Sequence, residues 1–194
     1  MKLDGPWMAI RGEQYFVTDP PGFVWWGHIQ AVPGLWFDVR DRSVNAVGNM
    51  RAAVESTFTV VDSSGPEIDQ GSLLRVLGEM VWFPTSFLDN RYVSWSAMSD
   101  RQARATLRVS GLEVNCVFEF GPDGLPIKVS ADRYRALGDT AVLTPWSGEF
   151  GDYREVAGLL VLHQLVPYWH VDGLSLPYAR FQVDQLGYDA TTAF

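Results

Sequence analysis

The sequence predicts a mainly β protein with an inserted helix: a strongly curved antiparallel sheet or incomplete barrel, with one main helix at its concave side. Three observations predict it. Apolar and polar residues alternate through most of the chain, Pro/Gly/Asp clusters punctuate those runs, and one segment switches to a helical period. No strand–helix–strand rhythm appears, which argues against a doubly wound parallel sheet.

Taken in order, strands are expected at Ile10–Thr18, Phe23–Val32, Leu35–Arg40 and Ser43–Ala52, with Asp19-Pro20-Pro21-Gly22 and Pro33-Gly34 as turns. Adjacent Trp25 and Trp26 must then point to opposite faces. A helix follows from Glu67 to Phe83, because Leu73, Leu74, Val76, Leu77, Met80 and Val81 fall on one arc at about 100° per residue. Ser64 or Asp69 is the expected cap and Pro84 the stop. Trp82 projects opposite the centre of that arc, and Glu79 and Phe83 lie at its margin. Such a helix has one side for a sheet and another for a second layer or a cavity.

The middle of the chain reads as a meander. Ala103, Ala105, Leu107 and Val109 alternate with polar residues, as do Leu112, Val114, Cys116, Phe118 and Phe120, with Ser110-Gly111 a tight hairpin turn between them. Gly121-Pro122-Asp123-Gly124 leads into a third strand, Leu125–Tyr134. The last third gives strands at Val142–Val156, Leu159–Val171 and Tyr178–Leu186. Length fits a single domain over residues 1–194, with enough apolar residues to bury a full core.

Composition narrows the function classes. The net charge is −8 and the basic residues are scattered, which argues against nucleic acid and against an anionic membrane surface. Cys116 is the one cysteine and sits on the apolar parity of a strand, so it reads as a buried, inert thiol. The N-terminus shows no apolar signal core, and nothing reaches about 18 uninterrupted apolar residues, so no integral membrane segment is expected and the cytoplasm is the default compartment.

Several segments together resemble a bacterial and actinobacterial family of unknown function. They are Glu13-Gln14-Tyr15-Phe16, Asp19-Pro20-Pro21-Gly22-Phe23-Val24-Trp25, Pro33-Gly34-Leu35, Glu79-Met80-Val81-Trp82-Phe83-Pro84-Thr85, Leu143-Thr144-Pro145-Trp146-Ser147-Gly148, Phe150-Gly151-Asp152-Tyr153-Arg154 and Pro177-Tyr178-Ala179-Arg180-Phe181. The resemblance extends over nearly the whole chain. It implies an architecture of the lipoprotein-carrier type, an incomplete antiparallel barrel with helices in its concavity, and it implies no particular activity. Many members of that family carry additional N-terminal sequence and often a membrane-proximal apolar segment. The match here begins near Trp7, which puts an envelope role in doubt and favours a stand-alone soluble one, with envelope association left as the alternative for a longer native product.

The three histidines, His28, His163 and His170, lack the spacing of a zinc motif, and no nucleotide loop or nucleophile elbow is present, so neither a metal nor a cofactor is expected. The candidate acid–base groups are Glu79, Tyr153, Arg154 and Glu13. Glu79 sits among apolar residues, where burial would raise its pKa, although an ion pair with Arg75 one turn earlier is the favoured reading. Asp152 and Arg154 share one strand face and read as an ion pair. The aromatic excess (eight Trp, eleven Phe and seven Tyr) offers Trp25, Trp26, Trp82, Phe83, Trp146, Trp169 and Tyr15 as ligand contacts, with a well-packed core as the plainer alternative. These features favour an aromatic-lined pocket for an elongated hydrophobic small molecule such as a lipid, polyketide or terpenoid. The alternatives are a cofactor-independent isomerase or cyclase acting on such a molecule, and a protein-interaction module without a ligand. Whether the chain is an enzyme, and its oligomeric state, stay open at this level.

Overall fold

A computed structural model describes residues 7–138 and 140–190. The first half is a five-stranded antiparallel meander of β1 (Ile10–Thr18), β2 (Pro21–Val32), β3 (Leu35–Val44), β4 (Val47–Val54) and β5 (Phe58–Ser63), paired in chain order. Helix α1 (Pro66–Glu79) follows, with two short 3-10 turns at Met80–Trp82 and Pro84–Leu88. A second antiparallel sheet then runs through β6 (Val93–Ser99), β7 (Gln102–Val109), β8 (Leu112–Phe120), β9 (Pro126–Leu137), β10 (Thr140–Val156), β11 (Leu159–Val171) and β12 (Leu174–Pro177), while the two-residue β13 (Phe181–Gln182) pairs with β11. Neither sheet closes into a barrel.

The mainly β class with one main helix is what the alternation predicted, and several boundaries differ. Asn45 and Ala46 take left-handed backbone conformations and turn the chain from β3 to β4, so β3 runs four residues past Arg40 and β4 begins at Val47 rather than Ser43. Strands β5, β6 and β12 lie outside the expected set. The expected strand Tyr178–Leu186 is instead the short β13 followed by residues 183–190 without strand structure. Helix α1 stops at Glu79, and the chain tightens into 3-10 geometry before Pro84. Its start is capped by neither Ser64 nor Asp69: Gly65 precedes Pro66 at the first helical position, and Asp69 Oδ1 accepts a hydrogen bond from Gly48 N at 2.7 Å.

That last contact shows how the helix is held between the sheets. A Cβ on Gly48 would lie 2.7 Å from both Ile68 O and Ser72 Oγ, so β4 meets the helix backbone at a distance open only to glycine. On the other side, Gln70 Nε2 donates to Asp132 O at 3.0 Å and Arg133 Nη2 donates to Gly71 O at 2.9 Å. The apolar arc of α1, with Leu73, Val76 and Leu77 fully buried, continues into Met80 of the following turn and packs among Leu107, Cys116, Phe118 and Val129 of the second sheet. Burial there pushes the Cys116 thiol up to about 12, which leaves it unreactive near neutral pH. Among the described residues, no helix is long and apolar enough to cross a membrane.

Candidate functional site

A groove of about 2110 Å³ runs along β1. Its lining takes in every residue of 10–19, so both side-chain parities of this edge strand border it and the groove passes over the strand's free edge. The far wall comes from the β10–β11 turn and from residues 180–190, which leave the second sheet after β13. That wall is fixed at two points: Val183 N donates to His163 O and Tyr188 Oη donates to Trp82 O, each at 2.8 Å.

On the inner face of the first sheet, cross-strand register sets Gln14, Trp25 and Asp41 in one row. Arg75 of α1 reaches down onto that row. Its Nε donates to Glu79 Oε1 and its Nη1 to Asp41 Oδ2, both at 2.8 Å, and its Nη2 donates to Gln14 Oε1 at 2.6 Å. Gln14 Nε2 closes the ring by donating to Glu79 Oε2 at 2.6 Å. The guanidinium lies 4.6 Å from the centroid of Phe23 and 5.4 Å from that of Trp25. Burial pushes the Glu79 carboxyl above its ordinary value, against the pull of Arg75 and Gln14. Every nitrogen of Arg75 has an acceptor and each Glu79 oxygen has a donor, so this network orders the groove floor.

Trp25 owes its position to two glycines. Gly12 and Gly27 are direct cross-strand partners, and a Cβ on Gly27 would lie 2.1 Å from the Trp25 ring, on Gly12 2.7 Å from it. The indole therefore lies flat over bare backbone. Beside it Phe16 packs against Phe83 at 4.4 Å and Trp82 at 6.2 Å between centroids, which makes an apolar stretch of the same groove.

The outer face of the sheet contributes polar groups. His28 and Asp38 are directly opposite on β2 and β3, with His28 Nδ1 at 2.9 Å from Asp38 Oδ1. Trp36 Nε1 donates to Asp38 Oδ2 at 3.1 Å, and Ser56 Oγ donates to the same oxygen. Hydrogen bonds from Ser56 and then His28 hold the Asp38 carboxyl below the usual range. An ionised carboxylate only accepts, so the proton sits on Nδ1 of His28, and Nε2 has no partner among the described residues. Two residues along the same face, Arg40 and Arg51 stand opposite each other on β3 and β4, with Trp26 opposite Arg40 on β2.

The candidates read from sequence divide cleanly in space. Trp25, Trp26, Trp82, Phe83, Tyr15, Glu79 and Glu13 all line the groove. Glu13 is exposed there, and Tyr15 packs edge-on against Trp26 at 6.0 Å. Tyr153 instead lines a separate apolar cleft of about 190 Å³ with Phe87, Trp95 and Phe118, its hydroxyl donating to Pro126 O and its pKa pushed up by burial. Arg154 is exposed and paired with Asp152 at 2.6 Å, outside both cavities. Trp146 and Trp169 also border neither: Trp146 is buried, donates from Nε1 to Tyr178 Oη at 2.9 Å and lies under Arg133, while Trp169 stacks on Tyr178. Among the groove residues that sequence reading did not assign to a site are Gln14, Phe16, Asp38, Arg40, Arg51 and Ser56, along with His28, weighed only as a metal ligand.

No curated protein and no solved structure matches this chain. A family model does match, over residues 1–181, and the chain belongs to that family, the family of unknown function DUF6544.

Proposed function

We propose that this protein binds an elongated hydrophobic small molecule, of lipid, polyketide or terpenoid type, along the groove beside β1. One observation carries the reading: the groove is lined by the flat indole of Trp25 and by Phe16 and Trp82 packed about the buried Phe83, around an ordered polar floor. Ligand sites combine such aromatic walls with a few fixed polar groups, and a rigid floor lowers the entropy lost on binding. Titration of a long-chain fluorescent probe tests it. Saturable binding should weaken at least about tenfold in Trp25→Leu, a loss of roughly 1.4 kcal/mol, and stay unchanged in Trp169→Leu. Equal affinity of the two variants would overturn it.

His28 favours a second reading, a cofactor-independent isomerase or cyclase acting in the same groove. An imidazole oriented through Nδ1 by a carboxylate, with Nε2 free, is arranged to move a proton. Under this reading His28→Gln and Asp38→Asn keep probe binding and abolish turnover of the bound molecule.

A further inference from the structure

We infer that the groove ligand is an anionic amphiphile, whose carboxylate or phosphate head group is seated between Arg40 and Arg51 while its tail follows the aromatic stretch. The inference rests on the binding reading above and names the chemistry of the ligand's polar end.

Four observations support it. Arg40 and Arg51 are direct cross-strand partners, and two like charges in that position repel unless something between them is negative. Among the described residues neither takes part in an ion pair. Of the neighbouring carboxylates, Asp38 is held by His28, Trp36 and Ser56, and Asp41 by Arg75 on the opposite face; Asp62 stands opposite Arg51 on β5 but accepts from Asn49 and forms no ion pair with it.

The arginines' present partners are neutral and do not exhaust them. Arg40 Nη2 donates to Asn49 Oδ1 at 3.0 Å, yet its Nε is shut away from solvent with no acceptor. Arg51 donates from Nε and Nη2 to the single oxygen Thr59 Oγ1, at 3.2 and 2.7 Å. An oxyanion offers two or three acceptor oxygens to the guanidinium nitrogens that face the groove, since guanidinium groups bind carboxylate and phosphate in a bidentate way.

The setting fits an amphiphile better than a free inorganic ion. Trp26 lies opposite Arg40 and is 48% exposed, which gives an aromatic surface next to the charges. The chain as a whole carries a net charge of −8, which repels anions at a distance. Affinity must therefore come from local contacts plus an apolar tail, and the groove continues from these arginines to Trp25 and Phe83.

Three probes with the same twelve-carbon tail separate the possibilities: dodecyl phosphate, dodecanoate and dodecanol, each titrated against the full chain by calorimetry. The wild type should bind at least one of the two anions about tenfold more tightly than the alcohol. Preference for one of them assigns the head group as phosphate or carboxylate. Arg51→Gln, an exposed substitution that leaves one threonine hydroxyl unpaired, should erase the preference without changing dodecanol binding, and Arg40→Gln should do the same if its melting temperature stays near that of the wild type. Arg51→Lys should restore part of the preference. Arg42→Gln removes the same charge from the same face outside the groove and should leave the preference intact. Dodecanol binding as tightly as both anions, or an equal loss in Arg42→Gln and Arg51→Gln, would overturn the head-group inference and leave the groove reading standing. Failure of all three probes to bind would remove both.

Discussion

The two sheets of this molecule treat their inner faces differently. The second sheet covers its inner face with an apolar core, where Leu107, Val109, Val114, Phe118, Val129 and Leu162 are buried beneath α1 and the 3-10 turn that follows it. The first sheet buries few large apolar residues, Phe23 foremost, and spends the same face on Gln14, Asp41, two facing glycines and the charged end of α1. The contrast teaches where stability and recognition reside. One sheet holds the helix by area removed from water. The other takes hold of the helix by the Arg75–Asp41 ion pair and a glycine contact, and lines its edge with aromatic and charged groups.

Substitutions that act on one sheet at a time sharpen the contrast, and the largest effects come first. Phe118→Ala should lose about 3–5 kcal/mol in urea unfolding, because a fully buried ring leaves a cavity that the sheet refills only in part. Trp26→Ala on the first sheet should cost less than about 0.5 kcal/mol, since its ring is largely exposed already. Comparable losses for the two would erase the distinction.

Arg75→Leu tests the polar clamp. Asp41 and Glu79 would be left facing each other without a counter-charge, and removing one partner of a partly buried ion pair costs about 3–5 kcal/mol at the upper end. With its side chain 17% exposed, the expected value falls toward the lower end of that range. A neutral result would mean that water replaces the guanidinium without difficulty.

Gly27→Ala should cost about 1–3 kcal/mol through overpacking against the Trp25 ring. It should also shift tryptophan emission, because the indole must lift from the sheet. An unchanged spectrum would mean that Trp25 does not lie on that glycine.

The smallest effect is the acid response of the link between the sheets. Asp19 accepts hydrogen bonds from Tyr92 Oη at 2.6 Å and Arg91 Nη1 at 3.0 Å, and these partners, Tyr92 first, hold its carboxyl below the usual value. A lowered folded-state pKa gives stability that is present above the unfolded value of about 3.9 and lost as pH falls through the folded one. Melting curves should therefore show the wild type above Tyr92→Phe at neutral pH, with the gap closing on acidification. A gap that widens in acid would reverse the sign.

Much of the fold was legible in the residues, and the reasons for the failures are local. Ser110-Gly111 announces its hairpin because glycine accepts the left-handed backbone that such turns require. The turn at Asn45-Ala46 and that at Glu55-Ser56 use the same conformation without glycine, so the end of β3 and the whole of β5 gave no signal. The candidate site was half visible. Aromatic residues on an edge strand and a helix margin pointed to the groove, as did Glu79, whose partnership with Arg75 was the favoured reading. The His28–Asp38 pair was hidden by one bulge. Extending the Val32–Leu35 pairing without interruption would set His28 opposite Val39; the register shift between Gln30 and Val32 moves it onto Asp38. Trp25 is carried opposite Asp41 by the same shift, so both faces of the site depend on a single unpaired residue.

Mass spectrometry of the gently purified full chain under native conditions tests the central claim most directly. A bound lipophilic species should appear in near-stoichiometric amount, retained by Trp169→Leu and lost from Trp25→Leu. The same species held equally by both variants, or a wild type that stays empty when offered long-chain anions and alcohols alike, would contradict it.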